Sequence, residues 1–115
     1  RTQLEQPQIS YRFFEDYLQG PHQLYDDVVG FVQHQHHAVG LEIDMDAIAL
    51  MPSSAFSPSG WQLDQIRTLL FKLGHIRPQI AYLNLTEAAP CDEKEALLVG
   101  KALTYLVRDF VGLPH

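Results

Sequence analysis

Apolar and polar positions along this chain recur with two different periods. Leu24, Val28, Phe31 and Val32 stand three or four residues apart, which predicts an amphipathic helix opened by Gly20-Pro21 and ended by Gln35. Leu63, Ile66, Leu69, Leu70 and Leu73 draw the same stripe in a helix starting at Trp61, with Gly74 placed for a left-handed cap. Asp92 and Glu95 make a capping-box-like start for a longer helix. Its apolar face carries Leu97, Leu98, Ala102, Leu103, Leu106, Val107 and Phe110, and Gly112 and Pro114 close it. Two shorter runs differ. Ala38 to Asp46 and Ile80 to Thr86 are mostly apolar and turn acidic only at or just past their carboxyl ends, which predicts buried strands. Ile9 to Phe13 alternates with period two and predicts a further strand, whereas Met51 to Gly60 is too rich in Pro, Ser and Gly for regular structure.

Strand, helix, strand, helix with short connections is a parallel βαβα unit of the α/β class. Residues 1–8 read as a tail or linker and residues 9–115 as one unit, without internal repeats. A parallel sheet needs cover on both faces, and two or three strands leave naked edges. The unit is therefore expected to associate with another chain or with a further part of its own protein.

Composition narrows the class. With 46% hydrophobic and 19% charged residues in 115, the chain is an ordinary folding sequence, not a disordered one. Eight Lys and Arg against fourteen Asp and Glu give a formal charge of −6, which argues against nucleic acid or anionic membrane as a partner. Cys91 is the single cysteine, no apolar run nears the roughly 20 residues of a membrane span, and the polar start lacks a signal-peptide core. A cytoplasmic setting is expected.

Ligands of parallel sheets bind beyond the carboxyl ends of the strands, where Asp44, Asp46 and Glu87 fall. Strand alternation would put Asp44 and Asp46 on one side, with Glu42 one step deeper, able to grip a hard cation. Equally, the same acids could cap helices or pair with Arg and Lys. The cluster His34, His36 and His37 looks like a metal site but precedes its strand, roughly 20 Å from the acids at ~3.3 Å per residue, and reads as a polar helix end. His22, His75 and His115 receive no role, Cys91 reads as an inert thiol, and Trp61 and Tyr82 as packing residues.

Together, Gly40 to Asp46, the loop Pro52 to Gly60 and the run Leu83 to Pro90 resemble the arginase family of ureohydrolases, the formimidoylglutamase branch most closely. The likeness runs from about Val39 to the last helix. It implies the C-terminal part of a three-layer αβα fold, two manganese ions with Asp44 and Asp46 among their ligands, and a substrate pocket lined by the loop containing Ser57. Glu87, in Glu-x-x-Pro, would face a cationic amidine or guanidine. Glu42 departs from the family, which usually has a small or hydroxyl residue there. The family's Gly-Gly-Asp-His and Asp-Ala-His-x-Asp motifs are absent, so the resemblance implies an enzyme whose first half lies elsewhere and a 115-residue chain that is inactive alone.

The complete enzyme would then hydrolyse a small-molecule amidine or guanidine, with formimidoylglutamate giving glutamate and formamide. Homo-oligomers are possible partners. Two other classes stay open: a non-catalytic assembly or binding module, and a haloacid-dehalogenase-like phosphatase, although Ala47-Ile48-Ala49-Leu50 after the aspartates fits the latter poorly. Two manganese ions per chain, one magnesium or none would separate the three.

Overall fold

A computed structural model describes residues 12–20 and 22–112. The expected tail over residues 1–8, and Ile9, Ser10 and Tyr11 of the expected first strand, lie outside the described residues. Arg12 and Phe13 join no strand, because the chain goes straight into a 3-10 turn over Phe14–Tyr17. Asp16 accepts the Phe13 N–H at 2.9 Å, and the rings of Phe14 and Tyr17 lie 5.1 and 5.4 Å from that of Trp61. Aromatic packing outweighs the two-residue alternation here.

Helix α1 spans His22–Gln33 and buries Tyr25 and Val32, seven residues apart, while Phe31 is 49% exposed. It stops short of Gln35 because side chains satisfy its last carbonyls: His34 Nδ1–H donates to Gly30 at 2.6 Å and the Gln35 amide to Phe31 at 3.0 Å. Strand β1, Val39–Asp44, pairs in parallel with β2, Ile80–Thr86, in a two-stranded sheet with Gly40 opposite Tyr82 and Asp44 opposite Thr86. Helix α2, Leu63–Gly74, makes the crossover, and α3, Glu93–Val111, follows β2. Helix α2 does not start at Trp61, whose backbone instead pairs with Ala47 and Ala49.

One core joins all five elements. Leu41, Ile43, Leu83 and Leu85 project from the inner sheet face onto Val32, Ile66, Leu69, Leu70, Leu73, Val99, Ala102, Leu106 and Phe110. Each fully buried leucine contributes roughly 1.5–3 kcal/mol. The other sheet face carries Gly40, Glu42, Asp44, Tyr82 and Asn84, all exposed, so the described residues form two layers. Tyr82 is therefore not a core residue: its ring lies where a Cβ on Gly40 would stand, and its hydroxyl donates to Glu42 at 3.3 Å.

Two further expectations are corrected by packing. Gly74 is the last residue of α2 and is followed by His75 in right-handed helical conformation (φ −74°), so no left-handed cap forms there. A Cβ on Gly74 would strike the Phe110 carbonyl, and its absence lets α2 and α3 approach closely. On α3 the buried face is Val99, Ala102, Leu106, Asp109 and Phe110, leaving Leu97, Leu98 and Val107 exposed. Asp109 is admitted to that face by Arg67 of α2, whose Nε lies 2.7 Å from Oδ2 and whose Nη2 lies 3.3 Å from Oδ1. Gly112 (φ 76°) supplies the expected left-handed cap of α3. No helix among the described residues is long and apolar enough to cross a membrane.

Candidate active-site rim at the carboxyl ends of the strands

The parallel register brings the ends of both strands to one edge of the sheet, Asp44 beside Thr86. Strand β1 ends at Asp44 because its carboxylate accepts the Asp46 N–H at 2.9 Å and caps a 3-10 turn over Met45–Ala47. Met45 is fully buried beneath that turn. Asp46 is thus placed by the turn, not by strand alternation. Beyond the turn, residues 51–60 form a loop without regular structure that folds back across the strand ends.

Three backbone contacts fasten this loop. Ser54 N–H donates to the Glu87 carbonyl and Ala89 N–H to the Pro52 carbonyl, both at 3.0 Å, around an antiparallel bridge between Ser53 and Ala88. Ala55 N–H donates to Asp46 Oδ1 at 2.9 Å. Glu87, the first residue after β2, has φ 71°, a left-handed conformation that costs a non-glycine residue about 1 kcal/mol or more.

The Ser54 hydroxyl sits between the two acids. Its Oγ lies 2.6 Å from Glu87 Oε1 and 3.3 and 3.2 Å from Asp46 Oδ1 and Oδ2. Half-burial pushes the Asp46 carboxyl up, but the Ala55 N–H, the Ser53 and Ser54 hydroxyls and Asp44 together outweigh it and hold the group below the ordinary carboxylate value. Ser53 Oγ is itself buried with no hydrogen-bond partner of normal geometry, although it stands close enough to Asp46 to help keep it ionised.

The structure therefore brings Asp46 and Glu87 into one bonded cluster, with Asp44 at its edge. Ser57 belongs to the same loop, but its contacts shape the loop: its hydroxyl accepts the Ser59 N–H at 3.1 Å and its carbonyl the Leu50 N–H at 2.8 Å. Ser54 was missed in the sequence because its role depends on the loop pairing antiparallel with the segment after β2, which no local spacing announces. The histidines 34, 36 and 37 follow α1, before the amino end of β1, away from the rim in the chain order of the fold. Cys91 is exposed at the start of α3, where its N–H donates to Glu95.

Hard oxygen donors, including the orphaned Ser53 hydroxyl, suit a hard divalent cation such as manganese. They make only a partial set. No group of three or more His, Cys, Asp or Glu side chains placed to hold a metal occurs among the described residues. A separate open cavity of about 480 Å³ lies between α1 and the first turn, lined by Phe14, Tyr17, Leu24, Val28 and Trp61, and shares no residue with the rim.

No protein-family model and no curated protein sequence matches this chain. Solved structures do. Arginase from Bacillus caldovelox superposes with a TM-score of 0.76 at 14% identity, covering 92% of this chain and 36% of that enzyme. Arginase from Entamoeba histolytica, solved in complex with L-ornithine, gives 0.69 at 19% identity over 86% of this chain and 34% of its own length. Agmatine ureohydrolase of Thermoplasma volcanium gives 0.59 at 19% identity over 84% and 32%. This chain spans about a third of the length of the structures it matches, and over that span it has the arginase-like α/β fold.

Proposed function

We propose that this chain forms one side of the active site of a ureohydrolase-type hydrolase that cleaves linear amidines, with formimidoylglutamate as its substrate. The observation that carries the reading is the cluster of Asp46, Ser54 and Glu87 at the carboxyl edge of a parallel sheet in an arginase-like fold. Asp44 and Asp46 would be the ligands this chain gives to two manganese ions, the remainder coming from another part of the protein. Bound there, the metal would supply the Lewis acidity that makes a water molecule nucleophilic at neutral pH.

Glu87 meets the substrate. Its carboxylate accepts charge-assisted hydrogen bonds from the planar amidinium, which orients the formimidoyl carbon for attack. Ala55 N–H keeps the Asp46 carboxylate fixed while this occurs. Water adds to the formimidoyl carbon, the bond from that carbon to the glutamate nitrogen breaks, and the nitrogen leaves with a proton as an amine. The products are glutamate and formamide, and a guanidino substrate treated in the same way releases urea.

Other parts of the reading follow from the incomplete donor set and the open sheet face. The chain alone lacks activity, and its partners are the rest of the arginase-like fold and, in a homo-oligomer, a second copy of the protein. The test is to purify the full-length protein with manganese and assay N-formimidoylglutamate, arginine and agmatine, measuring formamide, urea and metal content. Formamide release with two manganese ions per chain is expected. A metal-free protein inert toward all three substrates would leave the assembly-module reading in its place.

A further inference from the structure

The Ser54 hydroxyl has one proton and three carboxylate oxygens within 3.3 Å. The 2.6 Å contact to Glu87 Oε1 has the length of a charge-assisted O–H···O⁻ bond, so the proton belongs there. The two approaches to Asp46, at 3.3 and 3.2 Å, are long for O–H···O bonds, so the single proton gives Asp46 only a weak share. Neither partner can swing away freely, since Asp46 is tied by Ala55 N–H and Ser54 by its own N–H to the Glu87 carbonyl. The cluster has more carboxylate acceptor sites than the one hydroxyl proton can fill. Such an arrangement is completed by a ligand that brings N–H donors and positive charge.

We propose that Ser54 is a positioning residue that holds the Glu87 carboxylate in the orientation that receives a planar amidinium or guanidinium group, its own lone pairs being left to accept from that group. This rests on the hydrolase reading of the same site and extends it to a residue outside the expected set. The hydroxyl is not needed to hold the loop. The Ser54, Ala55 and Ala89 N–H bonds do that through the backbone and survive replacement of the side chain. The same contacts keep Glu87 in its left-handed conformation, so loss of the hydroxyl frees its side chain without releasing its backbone.

The test compares wild type, Ser54→Ala and Ser54→Thr in the full-length protein. Three readouts are taken: steady-state kinetics with N-formimidoylglutamate, calorimetric binding of acetamidinium ion, and the ¹³C resonance of the Glu87 side-chain carboxyl. Ser54→Ala is expected to raise KM about tenfold with kcat changed less than about threefold, as for loss of binding shared by ground and transition states. It should weaken acetamidinium by a similar factor, move the Glu87 resonance and leave bound manganese unchanged. Ser54→Thr, which keeps the hydroxyl, should restore all three. A Glu87 resonance and acetamidinium affinity unmoved by Ser54→Ala overturn the proposal whatever the activity. A wild type that turns over no amidine overturns the hydrolase reading instead, and the Glu87 resonance still decides whether Ser54 holds that carboxylate.

Discussion

The Asp44 carboxylate accepts the backbone N–H of Asp46 at 2.9 Å, so the first acid of the pair creates the turn that places the second. Its two roles are separable. Asp44→Ala in the full-length protein is expected to lose at least one metal and more than nine-tenths of the hydrolysis, and also about 1 kcal/mol of stability through the lost cap. Asp44→Asn keeps the cap acceptor but not the charge, so it should recover stability and not activity. Metal analysis and urea denaturation measure the two effects. Retention of both metals with more than a tenth of the activity would remove Asp44 from the site.

His36→Ala combined with His37→Ala is expected to leave metal content and turnover unchanged. Both residues are exposed in the connection that enters β1 at its amino end, whereas the acids leave from its carboxyl end. A large fall in bound manganese would place these histidines in the metal site.

How far the sequence could be read depended on whether a feature was local. The extent of β2, the carboxyl end of α2 at Gly74, the cap at Gly112 and the rim position of Asp44, Asp46 and Glu87 all follow from spacing within a few residues. The face of α3 did not, because Leu97, Leu98 and Val107 satisfy helical periodicity yet remain exposed, while buried Asp109 breaks it. Arg67, 42 residues away, pairs with Asp109 and lets a charged residue sit on that face. Likewise Ser54 gains its place from Glu87, 33 residues on, and Gly74 from the Phe110 backbone. In each case the deciding partner lies on another element.

Two glycines inside helices should respond in opposite ways to the same change. Gly74→Ala drives a Cβ into the Phe110 carbonyl, which forces α2 and α3 apart, and is expected to cost about 1–3 kcal/mol. Gly100 lies within α3 with nothing within 4 Å of an added Cβ, so Gly100→Ala should stabilise by roughly 0.5–1 kcal/mol through helix propensity. Chemical denaturation of the two variants, compared at equal m-value, checks both signs.

Tyr17 gives the fold a dependence on alkaline pH. Its hydroxyl donates to Asp27 Oδ2 at 2.8 Å, and burial, reinforced by that bond and the Asp27 charge, raises the phenol from 10.0 to about 12. Below pH 10 the phenol is protonated in folded and unfolded chains alike, and its stabilising contribution is fully present. Between pH 10 and about 12 the unfolded chain gives up its proton and the folded one keeps it, so stability falls as pH rises through that window. At the acidic end the partner acts with the opposite sign. The Gln23 amide and the Tyr17 hydroxyl hold Asp27 below the ordinary carboxylate value, so its contribution is present above that value and is lost as pH falls through the folded one. Tyr17→Phe removes the titrating phenol and one of the two donors to Asp27, and it should flatten both limbs of the profile. Urea midpoints of wild type and variant from pH 2 to 12 would show it, and parallel profiles at the alkaline end would mean that Tyr17 ionises as readily in the fold as in the open chain.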